Sequence, residues 1–198
     1  NAVQTRLYPS ATDTLNWARE STESLVAATM TTYVVEWGSN WTVQHVNVSG
    51  SNVGDGCDAT GEYNTGAITS VVRNNTWVWG TGYATTNGIG DSFSGALITL
   101  GDGVAQNTNE TLVGFCGEYA STKSADIYTM THASLAVDYK FKVDGNVNDT
   151  DTAVAVDIAT DGTRMAMVHN GCNGSGTAHP RDRFWARYTA DNEVTVSR

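Results

Sequence analysis

Basic charge is scarce in this 198-residue chain. It has 11 Lys+Arg against 21 Asp+Glu, Lys occurs only three times, and the formal net charge is −10. Binding that neutralises phosphates draws on Lys and Arg, so nucleic acid is excluded as a class of partner. Long hydrophobic runs are also missing. No stretch reaches the ~18 consecutive apolar residues of a membrane helix, so no membrane span is expected. Only 16% of residues are charged and 40% are hydrophobic, which argues against a disordered acidic tail. Two prolines leave no Pro-rich linker. No basic stretch followed by an apolar one opens the chain, which therefore reads as a mature form. The three cysteines contain no Cys-x-x-Cys, against a zinc ribbon or a thioredoxin-type motif. Walker, post-strand Gly-x-Gly-x-x-Gly and Gly-x-Ser-x-Gly patterns are absent too, against nucleotide binding and a nucleophile elbow.

What the chain does hold is Thr (28), Asn (16) and Ser (14). These supply polarity where charge does not, and Thr favours strands. The expected fold is mainly β, antiparallel and β-sandwich-like, with one N-terminal α-helix packed on it; α+β is the alternative. A single domain spans 1–198. Residues 1–9 alternate weakly and read as a leading strand or extended arm ended by Pro9. Ser10-Ala11-Thr12-Asp13 resembles a capping box, and Leu15, Ala18, Thr22, Leu25 and Val26 fall at helical spacing. A helix is therefore predicted over about 12–29, within the segment 10–30. From residue 31 the period turns to two. Strands are predicted at Tyr33–Trp37, Trp41–Val48, Ile68–Val72, Thr76–Trp79, Ala96–Leu100 and Thr111–Phe115. Further strands are predicted at Leu135–Val143, Ala153–Ala159 and Arg164–Val168, with Val194 and Val196 in a closing strand. Residues 120–134 fit helix and strand about equally, and so does Arg181–Arg187. Turn signals such as Asp144-Gly145 and Asp161-Gly162 separate the strands. Strands this short and this regularly punctuated suggest a sandwich or barrel.

Cys57, Cys116 and Cys172 each sit beside Gly or Asn, in loop-like surroundings or at a strand end. One structural disulfide and one odd thiol, free or paired with a second chain, is the expectation. Asn-x-Ser/Thr sequons stand at Asn40, Asn47, Asn74, Asn109, Asn148 and Asn173. About three or four would arise by chance at this composition, so six is a modest excess. Trp77 and Trp79 are two apart and share one face of a strand, with Trp37, Trp41 and Tyr83 as further candidate rings for the same surface. Exposed aromatic faces stack on sugar rings; core anchoring is the plainer reading of alternate tryptophans. The loop carrying Asp144, Asn146, Asp149 and Asp151 offers oxygens to a calcium ion, but it departs from an EF-hand at positions six and twelve, and a solvated turn explains it too. Asp55, Asp58 and Glu62 offer a second, similar loop. No other cofactor or metal is expected. His169, Cys172, His179 and Asp182 cluster in sequence, but their spacing matches no standard zinc pattern. Glu36, Glu62, Glu110, Glu118 and Glu193 lie near strands, and nothing selects a catalytic pair among them.

Every catalytic pattern is therefore at background. The expected role is that of a secreted or surface-exposed glycoprotein acting by binding or self-assembly, with protein or glycan as partner. An extended arm over residues 2–8 could add a strand to a neighbouring subunit. One alternative is a processed subunit of a toxin or viral surface protein, cut after Arg198 and joined to a partner through the odd cysteine. Another is a glycan-active hydrolase.

Overall fold

The computed structural model describes residues 5–11, 14–19, 33–50, 63–84, 96–102, 107–117, 123–138, 152–155, 185–190 and 193–197. They are almost wholly strand: β1 Thr5–Ala11, β2 Thr14–Arg19, β3 Thr42–Gly50, β4 Asn64–Val72, β5 Thr76–Ala84, β6 Ala96–Leu100, β7 Asn109–Gly117, β8 Lys123–Thr131, β9 Thr152–Ala155, β10 Trp185–Ala190 and β11 Glu193–Ser197. One 3-10 turn, Arg73–Asn75, joins β4 to β5. All strand pairs are antiparallel and make four sheets, in the orders β1-β2, β3-β8-β5, β4-β7-β6 and β10-β11-β9.

The sheets β3-β8-β5 and β4-β7-β6 share one apolar core. Val48 from β3, Val78 from β5, and Ala125 and Ile127 from β8 meet Val71 from β4, Ile98 and Leu100 from β6, and Val113 and Phe115 from β7. Val46 and Ile68 close its margin. The alternation is the cause. Val46 and Val48 on β3, Thr76 and Val78 on β5, and Ala125, Ile127 and Thr129 on β8 fall at every second position, so each strand turns one set of side chains inward. On β4 the pairing slips between Ala67 and Val71, a bulge that shifts the inward set from Ile68 to Val71. The sheets come close at Gly66, where a Cβ would stand 2.5 Å from Val46 Cγ1 and 2.8 Å from Val48 Cγ2.

The N-terminal helix predicted over about 12–29 is not found where the segment is described. Residues 14–19 are strand β2, in a hairpin with β1, and 20–29 lie outside the described residues. The hairpin register explains the misreading. Leu7 opposes Trp17 and Pro9 opposes Leu15, so the pairing of the apolar positions follows a period of two. Leu15 and Ala18, three apart, fit a helical stripe by coincidence. Pro9 does not end the leading strand. It lies within β1 just before a register shift, where a missing N–H is tolerated. The expected arm is, from Thr5 onward, already paired inside its own chain.

Tyr33–Trp37 is not a strand; among the described residues it has no strand partner, and Tyr33, Val34 and Val35 face solvent while Trp37 is half-buried. Residues 135–138 are not strand either, while 139–143 lie outside the described residues. The ambiguous stretch 120–134 is strand β8 over Lys123–Thr131. Strand β10 takes the ambiguous C-terminal stretch from Trp185. The predictions at 156–159 and 164–168 and the Asp-Gly turns at 144–145 and 161–162 also lie outside the described residues. Among the described residues, no helix is long and apolar enough to cross a membrane.

Candidate functional site

The outer face of the β3-β8-β5 sheet gathers most of the distinctive side chains. Its rows follow from the register. Val43, Met130 and Trp77 form one row; His45, Tyr128 and Trp79 the next; then Asn47, Asp126 and Thr81. With Thr76 and Val78 turned into the core, Trp77 and Trp79 must turn out. Trp79 is 43% exposed, so it is not a core anchor; Trp77 is half-buried. Tyr83 lies on the same strand and opposes Ser124 in register.

At the centre stands Asp126, only 1% exposed. A carboxylate this deep needs donors close by. His45 Nε2 lies 2.8 Å from Asp126 Oδ1, and Asn47 Nδ2 donates to the same oxygen at 3.3 Å. Asn47 Nδ2 also reaches Ser124 Oγ at 3.2 Å and the Ala125 carbonyl at 3.4 Å. The His45 ring stacks on Tyr128, with centroids 4.7 Å apart and planes 24° apart. Burial, and secondarily the neighbouring Asp126 carboxylate, push the Tyr128 phenol above its ordinary range. The result is a sheet face with one exposed indole, a stacked imidazole–phenol pair and a buried carboxyl group that hydrogen-bonds the imidazole.

A second polar cluster is built differently. The Arg73 guanidinium is buried beside Glu110, with Nη2 3.2 Å from Oε1, and Nη2 also donates to the Leu100 carbonyl at 2.9 Å. The Asn107 backbone N–H donates to Glu110 Oε1 at 2.9 Å. Gly101 packs against the same carboxylate at φ 97°, a left-handed conformation that favours glycine. This arrangement ties the 3-10 turn to β6 and β7 and leaves Glu110 poorly suited to proton transfer with a ligand. Glu36 is exposed in the segment before β3 and Glu193 lies on β11, so the three described glutamates stand in three separate places in the fold. Glu62 and Glu118 lie outside the described residues.

Of the sequons, Asn40 is exposed in the turn before β3, Asn47 lies within β3, Asn74 is exposed on the 3-10 turn and Asn109 is exposed at the start of β7. Asn148 and Asn173 lie outside the described residues, as do Cys57 and Cys172. Cys116 opposes Leu97 in the β6–β7 register. The calcium candidates Asp144, Asn146, Asp149 and Asp151, the loop of Asp55, Asp58 and Glu62, and the cluster of His169, Cys172, His179 and Asp182 are outside as well. Among the described residues, no three His, Cys, Asp or Glu side chains gather as a metal site would require.

The sequence reading did not single out His45, Asp126 or Tyr128. Their signal was the alternation His45-Val46-Asn47-Val48 and Ser124-Ala125-Asp126-Ile127-Tyr128, in which polar and apolar residues change places at every step. In the second run it was obscured by apolar residues that also fit a helix. No family model, curated protein or solved structure matches the chain.

Proposed function

We propose that this chain is a secreted or surface-exposed glycoprotein domain, a β-sandwich in architecture, that acts by binding a sugar ring on the outer face of β3-β8-β5. The observation that carries this reading is the row Trp79–Tyr128–His45, three rings in register across three neighbouring strands. Strands lie about 4.8 Å apart, so the row spans about 10 Å, the scale of one or two pyranose rings. Carbohydrate faces present C–H groups that stack on aromatic π-clouds, and their hydroxyls need donors and acceptors at the rim. Trp79 offers the exposed ring, and His45, with its side chain 31% exposed, offers an imidazole oriented by Asp126. Binding of a panel of oligosaccharides, followed by calorimetry on the best ligand, tests the reading. Trp79→Ala should weaken binding at least tenfold while the fold, read by circular dichroism, stays intact. Absence of any carbohydrate binding, or equal affinity in Trp79→Ala, overturns it.

A second reading has its own observation. Tyr33, Val34 and Val35 are 85%, 77% and 63% exposed and have no strand partner among the described residues. Three consecutive exposed apolar residues of high β-propensity favour self-association, in which this segment meets a second copy of the chain.

A further inference from the structure

We propose that Asn40 is the sequon whose glycan the fold is built to carry, with the Trp37 and Trp41 rings as the surface on which its first sugar packs. The inference rests on the proposed export of the chain, because N-glycans are added along that route. Four observations around the turn lead to it.

The first is the turn itself. The Trp41 N–H donates to the Gly38 carbonyl at 2.9 Å, which folds residues 38–41 back and presents Asn40 at the exposed tip. The second is the aromatic wall. The fold-back brings the Trp37 and Trp41 ring centroids to 4.7 Å, and His132 stacks on the far partner, Trp41, at 4.6 Å with planes 24° apart. Two indoles and an imidazole thus line one short turn whose tip is a glycan acceptor.

The third is the orientation of the Asn40 amide. Its Nδ2 and His132 Nε2 lie 2.7 Å apart. The Ser134 backbone N–H donates to His132 Nδ1 at 3.1 Å, so Nδ1 is the acceptor. A neutral imidazole that accepts at Nδ1 carries its proton on Nε2 and needs an acceptor there. The amide oxygen therefore belongs against His132, and a half-turn about the Cβ–Cγ bond, which exchanges oxygen and nitrogen, supplies it. Oδ1 then accepts the Nε2 proton and Nδ2 takes the other position, beside Gly38. There a Cβ would stand 3.1 Å from the amide, and the bare glycine leaves that space open.

The fourth is the contrast with Asn47. Its Nδ2 is directed at three acceptors, Ser124 Oγ, the Ala125 carbonyl and Asp126 Oδ1, inside a paired strand. A glycan there would replace one amide proton and crowd the buried carboxylate; at Asn40 it displaces nothing.

In the covalent step, Nδ2 forms a bond to the anomeric carbon of a diphosphate-activated sugar, supplied with its transferase by the host. The anomeric C–O bond breaks with its electron pair leaving on the diphosphate, and one of the two Nδ2 protons passes to a base of the transferase and from there to solvent.

The test is expression of the full chain behind a secretion leader in a glycosylating host, with peptide mass mapping of the secreted protein. Asn40 should be occupied, and Asn40→Gln should remove that glycan alone. Occupancy is decided before folding, so the packing needs a separate readout. The glycosylated parent should melt about 2–4 °C above the unglycosylated one. In Trp37→Leu the glycan should remain while the difference disappears. Secreted protein with glycans elsewhere and none on Asn40 overturns the assignment and leaves export standing. An equal melting temperature with Asn40 occupied overturns the packing. Failure of export, with every sequon bare, removes the reading of compartment and this inference with it.

Discussion

Tyr128 joins the exposed platform to the buried Asp126, and its phenol is held above the ordinary value near 10, first by burial and then by the Asp126 carboxylate. The sign of the effect on stability follows. The folded state keeps the phenolic proton to higher pH than the unfolded chain, which ionises at about 10. The contribution is fully present below that value and is lost as pH rises through it toward the folded value. Urea midpoints measured between about pH 9 and 11 should therefore fall more steeply in the parent than in Tyr128→Phe. Parallel slopes in the two proteins would refute this. Asp126 itself carries no ligand in the proposed binding; at 1% exposure it orients His45 from beneath. Neither role was legible locally. An Asp in a strand of one sequence looks like any solvated Asp until the register sets His45 and Asn47 beside it.

Arg73 and Glu110 belong to the scale of elements, because their pairing joins the 3-10 turn to β7, and the Arg73 contact with the Leu100 carbonyl brings in β6. Buried charges repay their desolvation only when paired, so removing one partner is worse than removing both. Glu110→Ala should cost about 3–5 kcal/mol in chemical denaturation. The double replacement Arg73→Met with Glu110→Leu should cost clearly less, and a double variant as unstable as the single one would refute the pairing argument. The same turn is held from the other side, where Asn75 Nδ2 donates to the Leu135 carbonyl at 2.7 Å and the Val137 N–H donates to the Asn74 carbonyl at 2.9 Å. These bonds use the backbone around Leu135–Val137 for bracing, consistent with the predicted strand there not forming. Strands β3 to β7 were largely readable in advance, with β6 matching residue for residue, because alternation of Val, Ile, Leu and Thr with polar residues is a local property. β2 was not, because a six-residue strand holding Leu15 and Ala18 meets the helical template over the only window available. Its true period appears only once β1 lies opposite.

At the scale of the whole molecule, the two sheets of the shared core bury Phe115, Leu100, Ile127 and Val78 between them, while Tyr33-Val34-Val35 stays outside. If that segment joins two copies, the protein should sediment as a dimer or larger at tens of micromolar. Val34→Asp with Val35→Asp should then give the monomer with an unchanged circular dichroism spectrum, since these side chains contribute little to the core. A parent that is monomeric at all concentrations would end the association reading. The composition alone set the charge balance: 11 Lys+Arg against 21 Asp+Glu, which argues against a partner bound through its phosphates. It also determined the β class, since strand propensity and a period of two are written residue by residue. Which face each strand buries, which residues meet across the sheet, and whether an apolar run is core or surface were decided only by the tertiary structure. The reason is that these depend on partners far away in the chain. Tyr33–Val35 and Thr111–Phe115 both read as strands, yet only the second finds neighbours on both sides, at β4 and β6. Trp79 and Val78 are adjacent in sequence, and the pleat sends one to solvent and the other to the core.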